Sequence, residues 1–137
     1  MKAIVCLDDR GGMTFGGRRQ SRDRALCEDI VRDLDIGQRL LMCEYSKSLF
    51  EPYAERVNVC DGFLDLAQSS DVCFVENKAL LPYIDKIDSL VIYRWNRHYP
   101  SDTCFDLDLE VSGFGLVSSC EFVGSSHEKI TKEIYVR

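Results

Sequence analysis

Gly16 to Arg24 reads GGRRQSRDR. Two glycines let a backbone come close to a ligand, and Arg18, Arg19, Arg22 and Arg24 fall within seven positions. A guanidinium grips a carboxylate or phosphate through two parallel hydrogen bonds. Amides at the start of a following helix are open to an anion. In a chain of net charge −6, with 17 basic and 23 acidic residues, this cluster exceeds what solvation requires. The spacing is neither GxxxxGK[ST] nor GxGxxG, so it carries no nucleotide motif. Two readings stand side by side: an anion cleft with Arg19 and Arg22 as its grips, or a turn followed by a solvated, Ser21-capped first helical turn.

A second stretch, Tyr93 to Asp102, reads YRWNRHYPSD. It interleaves Arg94 and Arg97 with aromatic rings and His98, a texture that can stack nucleic-acid bases. The simpler reading is a strand end whose Trp95 closes the core. An isoelectric point of about 4.9 opposes a general nucleic-acid partner. The only histidines, His98 and His127, are far apart and suggest no metal pair. The HxHxDH run of metallo-hydrolases and the GxSxG nucleophile elbow are both absent. A Ser/Cys–His–Asp triad is neither indicated nor excluded.

Seven cysteines, Cys6, Cys27, Cys43, Cys60, Cys73, Cys104 and Cys120, form no CxxC and lie mostly in apolar runs. Zinc needs paired, closely spaced ligands, so no metal is expected. Reduced cysteines serving as small buried hydrophobes fit a cytosolic protein. The opening MKAIVCLDD has too short an apolar run for a secretory signal, and no stretch approaches the eighteen or so residues of a membrane span. The expected location is cytoplasmic.

These groups must be positioned by a scaffold. At 137 residues and 45% hydrophobic, residues 1–137 suit a single domain. Ala3–Leu7, Arg39–Cys43, Arg56–Cys60, Val72–Val75 and Leu90–Trp95 are short, mostly continuous apolar runs, the signature of buried parallel strands. Between them, Leu26, Cys27, Ile30, Val31 and Leu34 form one apolar helical stripe that Gly37 ends. Short helices are expected after Ser46, Asp61 and Asn77. "FDLDLEV" reads as a strand with carboxylates facing water. "LVSSCEFV" and "ITKEIYVR" read as a closing antiparallel hairpin. The predicted class is α/β: helices on both faces of a mostly parallel sheet, with an antiparallel edge.

That order, and several segments within it, resemble dihydrofolate reductase. "MKAIVCLDDRGGMTFGG" is similar to the family's first strand and the mobile loop over its active site. "RLLMCEYSKSLFE" resembles the second strand and its helix. "DVCFVENKALLPYIDKIDSLVIYRW" resembles the strand, helix and strand beneath the cofactor. "YPSDTCFDLDL", "LVSSCEF" and "IYVR" resemble the C-terminal region. The resemblance implies a dihydrofolate reductase-like three-layer α/β/α fold.

Departures from the family pattern bear on function. Where the family holds cofactor phosphates with Gly-Arg-Thr/Lys residues, this chain has Cys43, Glu44 and Tyr45. A carboxylate 4 Å from a phosphate charge costs about 1 kcal/mol even in water. The family's Gly-Gly pair is replaced by VENKAL, Val75 to Leu80, without glycine. The Phe50–Val57 region is too short for the segment that embraces adenosine. The resemblance therefore implies a reductase fold with a degenerate NADPH site and no cofactor.

On the substrate side, Asp23 falls near the family's pterin-binding acid and would be the catalytic group of a reductase. Tyr93 falls near the family's small hydroxyl residue, and "RRQSR" replaces a Trp-Pro lead-in. The expected function is binding of a small anionic or heterocyclic ligand by Met13, Arg19, Arg22, Asp23, Tyr93 and Arg94. The alternatives are a divergent NADPH-dependent reductase and, least favoured, a nucleic-acid-processing protein. A homo-oligomer is compatible with the sequence.

Overall fold

The apolar runs assemble into one seven-stranded sheet. The computed structural model describes every residue, Met1–Arg137. In chain order the strands are β1 (Lys2–Leu7), β2 (Gly12–Phe15), β3 (Arg18–Arg19), β4 (Leu40–Met42), β5 (Val57–Val59), β6 (Val72–Phe74), β7 (Ser89–Arg94), β8 (Thr103–Cys104), β9 (Gly115–Phe122) and β10 (Ile130–Val136). The main sheet has the order β5-β4-β6-β1-β7-β10-β9. Its first five strands are parallel. β10 runs antiparallel to both β7 and β9.

Strands β1, β6 and β7 sit mid-sheet and are buried on both sides, as their continuous apolar composition requires. Two cores follow. One face packs against helix α1 (Arg24–Arg32), with Leu26, Ile30, Phe50, Phe74 and Trp95 in its cluster. The other packs against α2 (Phe63–Leu66) and the 105–114 connection, with Phe63, Ile87, Leu107 and Phe114. No helix is long and apolar enough to cross a membrane.

The coverings differ from expectation in ways with local causes. Only α1 is an extended α-helix, at 9 residues. Glu44–Arg56 is 3-10 helix broken at Phe50 and Tyr53, where Pro52 cannot supply an amide. Leu81–Lys86 is a short 3-10 turn with Pro82 in its first positions. "FDLDLEV" is not a strand: Leu107 is buried, and the Asp106 carboxylate accepts the Leu80 and Leu81 amides at 2.9 Å each. A small antiparallel sheet, β3-β2-β8, braces the arginine-bearing loop.

Two expected ligand-binding residues belong to this scaffold instead. Tyr93 is 1% exposed, and its hydroxyl donates to Asp29 on α1 at 2.6 Å. Lys132 of β10 bridges the same Asp29 at 2.9 Å and also pairs with Asp33. Burial and the adjacent Asp29 carboxylate push the Tyr93 phenol far above its ordinary range. Arg94 points to the opposite face and binds Glu133 of β10 at 2.6 Å. Side chains alternate along a strand. Trp95, two residues beyond Tyr93 and on its face, therefore takes the cleft position at the strand's carboxyl end.

Tyr93→Phe removes one donor from a half-buried carboxylate and should cost about 1–2 kcal/mol. Urea unfolding should show a lower midpoint with an unchanged slope. An unchanged midpoint would mean that Lys132 alone satisfies Asp29.

Candidate functional site

The site lies at the carboxyl ends of β1, β6 and β7, where open α/β sheets place their ligands. Its centre is Asp23. Ser21 does not cap α1; Asp23 does, through extended backbone and a side chain accepting the Leu26 amide at 3.2 Å. The same carboxylate accepts the amides of Ser125 at 2.9 Å and Ser126 at 2.8 Å, and both serine hydroxyls. It also meets Nδ1 of His127 at 3.0 Å, with both side chains almost wholly buried. Burial raises the Asp23 pKa. The Ser125 and Ser126 amides, the imidazole and the Leu26 amide outweigh it and hold the carboxyl well below the usual carboxylate range.

His127 is fixed from three further sides. Its ring stacks on Trp95, with centroids 4.5 Å apart and planes at 26°. Nε2 meets the Tyr99 hydroxyl at 2.9 Å and the Ser21 hydroxyl at 3.1 Å. The Gly124 amide donates to the His127 carbonyl at 2.9 Å, closing the hairpin tip around the ring. A Cβ on Gly124 would collide with the Asp23 carboxylate, so only glycine lets the tip approach this closely.

A second buried acid organises the end of β1. Asp8 is 1% exposed and accepts the amides of Arg10, Gly12 and Tyr99 and the Gln20 side chain. Burial opposes its ionisation, but those donors prevail and its pKa falls below the ordinary value.

Arg19 lines the cleft but is already paired. Its guanidinium forms two hydrogen bonds with Glu76, at 2.8 and 3.0 Å, and a third with the Tyr45 carbonyl at 3.1 Å. It lies 4.5 Å above the Tyr45 ring, and Ser46 donates to Glu76 at 2.8 Å. This bridge joins β3 to the end of β6. Glu76 stands within VENKAL, where the resemblance expects two glycines.

Beneath the bridge, the inner cleft is closed to about 20 Å³, room for roughly one water. Met13, Cys6, Cys27, Ser21, Asp23 and Trp95 are among its walls. Burial pushes the Cys27 thiol up to about 12, ahead of the nearby Glu76 and Asp23 carboxylates, and burial also raises Cys6. Neither thiol is primed as a nucleophile. A wider groove of about 210 Å³ continues outward between α1 and the 44–56 segment. Arg22, Arg24, Ser48, Glu51 and Tyr53 border it. The side chains of Arg22 and Arg24 form no salt bridge.

The structure thus gathers Met13, Arg19, Arg22 and Asp23 at one site and leaves Tyr93 and Arg94 outside it. No group of three or more His, Cys, Asp or Glu residues is arranged to hold a metal. Sequence reasoning missed His127, Ser125, Ser126, Tyr99 and Glu76 as partners. A separation of 104 positions between Asp23 and His127 hid the central pair. The one available signal was Gly-Ser-Ser-His, Gly124–His127: small donors and a histidine at a hairpin tip.

Asp23 carries a testable pH signature. Its folded pKa is depressed, so its contribution is complete above the unfolded value of about 4. It is lost as pH falls through that range toward the folded value. Asp23→Asn should lower stability at pH 7 by about 2–3 kcal/mol, since buried donors lose a charged acceptor. Its urea midpoint should fall less steeply than wild type between about pH 5 and 3. Parallel slopes would assign acid sensitivity to Asp8 and Asp29 instead.

No protein-family model matches the sequence, and the comparison with curated proteins finds no match. Solved structures do match. Dihydrofolate reductase from Enterococcus faecalis, complexed with NADP(H) and RAB-propyl, superposes with a TM-score of 0.68. The match covers 99% of this chain and 95% of that one at 17% identity. With a mostly parallel seven-stranded sheet closed by an antiparallel edge and an overlay spanning nearly the whole chain, the protein has the dihydrofolate reductase fold.

Proposed function

We propose that the chain is a binding protein for a small anion, carboxylate or phosphate, on an aromatic or heterocyclic body. The observation that carries this is the groove between α1 and the 44–56 segment. It is open to about 210 Å³, and Arg22 and Arg24 border it without carboxylate partners. A guanidinium with free N–H groups is a ready site for a carboxylate or phosphate. Leu49, Pro52 and Tyr53 give the apolar surface against which a ring would lie. Glu51, also on the groove, disfavours a highly charged anion and favours one with a single acidic group.

The Arg19–Glu76–Ser46 bridge supports a binding role without NADPH. A dinucleotide approaching the end of β6 would meet a carboxylate and would have to break both charge-assisted hydrogen bonds between Arg19 and Glu76. The pair is partly buried, and each charge-assisted hydrogen bond lost would cost about 1.5–3 kcal/mol. Asp23, which the reductase resemblance would make the pterin acid, already has its lone pairs engaged by serines, an amide and an imidazole.

Titration with aromatic carboxylates and phosphate monoesters tests the groove. Arg22→Ala and Arg24→Ala should each weaken binding about tenfold, equivalent to about 1.4 kcal/mol. Affinity should fall with added salt. Equal affinity in both variants would remove the groove from consideration.

NADPH should give no saturable thermal shift. A ligand at a hundredfold excess over its Kd stabilises by about 2.7 kcal/mol. Such a shift would favour a divergent reductase over this reading.

A further inference from the structure

We propose that Ser21, His127 and Asp23 form an acyl-transfer site, with Ser21 as nucleophile, His127 as its base and Asp23 as the carboxylate that positions the imidazole. The substrate class is a carboxylic ester. That its acyl group carries an anion rests on the groove reading above; the assignment of the nucleophile does not.

The geometry is a linear relay. Asp23 Oδ2 meets Nδ1 at 3.0 Å, and Nε2 meets Ser21 Oγ at 3.1 Å. An ionised carboxylate only accepts, so Nδ1 carries the proton and the Nε2 lone pair faces the hydroxyls. The serine amides fix the carboxylate, and the Trp95 stack fixes the plane of the ring. These are the roles that define a serine hydrolase triad on any fold.

Two hydroxyls compete for Nε2, those of Ser21 and Tyr99. Ser21 borders the inner cleft and Tyr99 does not; that cleft admits only about one water, so an acyl carbon would meet the half-buried Ser21 hydroxyl from its solvent side. The Arg22 amide follows Ser21 directly and has no hydrogen-bond partner within the chain. The amide after the nucleophile is where α/β hydrolases place an oxyanion donor.

The reaction balances without any further reagent. Ser21 Oγ attacks the ester carbon as its proton passes to Nε2. The tetrahedral oxyanion collapses, and the Nε2 proton leaves with the alcohol. Water then attacks the acyl-serine, giving its proton to Nε2 and releasing the acid. Ser21 Oγ recovers that proton.

p-Nitrophenyl acetate tests this on the full chain, and being neutral it needs no arginine. The expected result is a burst of p-nitrophenolate and one acetyl group on Ser21, located by peptide mass spectrometry. Ser21→Ala, a mild change at a half-buried position, should fold and lose both. His127→Gln, checked for folding, should slow acetylation by about 10²–10⁴-fold. Tyr99→Phe frees Nε2 for Ser21 alone and should accelerate labelling of Ser21.

Asp23 is a positioning residue. The titratable side chains contacting the imidazole are Asp23 and Tyr99. In Asp23→Asn the midpoint of the pH–rate profile should move down, because an amide no longer stabilises the imidazolium. An unmoved midpoint would overturn that role. No adduct on folded wild type, or an adduct that survives Ser21→Ala, overturns the acyl-transfer site. If acetylation holds while the aromatic carboxylates fail to bind, only the groove reading falls. If those anions bind and acetylation fails, only the acyl-transfer site falls.

Discussion

The ionised Asp23 carboxylate is the constraint on which the site end of the molecule depends. It is buried, and an isolated buried charge is prohibitively costly. It exists there because it has donors from α1, from the β9–β10 tip and from His127. One charge therefore joins the start of the first helix to the last hairpin across more than a hundred residues. Gly124 allows the approach, and the Trp95 ring closes the assembly from β7.

Asp8 does the same for the loop after β1, and Glu76 for the loop bearing Arg19. The pattern is consistent: at the carboxyl edge of the sheet, carboxylates of the chain take up donors that an open cleft would offer to a ligand. Of the four clustered arginines, Arg19 is neutralised by Glu76, while Arg22 and Arg24 face the groove without a carboxylate. Polar self-satisfaction inside and unpaired arginines outside divide the site into a tight inner region, which holds the Asp23–His127–Ser21 contacts, and an open outer one, on which the proposed anion binding rests.

Most of the sheet was legible in sequence because buried parallel strands write themselves as continuous apolar runs. Ala3–Leu7 and Leu90–Trp95 differ from β1 and β7 by a residue at each end or fewer. The α1 stripe was equally clear, since Leu26, Cys27, Ile30 and Val31 are its buried residues. Segments carrying little apolar periodicity were not legible. The 44–56 and 81–86 coverings became 3-10 helix around Pro52 and Pro82, and "FDLDLEV" turned inward at Leu107. Met13, Arg19, Arg22 and Asp23 converge because they sit on one contiguous loop and cap. Tyr93 and Arg94 were misplaced by the two-residue period of β7, which no local pattern reveals at a strand end.

The His127 contact shows why a site is harder to read than a fold. Periodicity encodes which face of an element is buried, but not which distant side chain meets it there. The geometry around His127 combines two demands that usually diverge. A purely structural histidine needs its ring nitrogens satisfied, and a single partner on Nε2 would suffice. Here Nε2 faces two hydroxyls, and only one can donate to its lone pair at a time. One of the two lies on the cleft wall. That surplus is the feature on which the proposed role of Ser21 rests, since the Asp23–His127 pair alone would serve equally well as a buried latch.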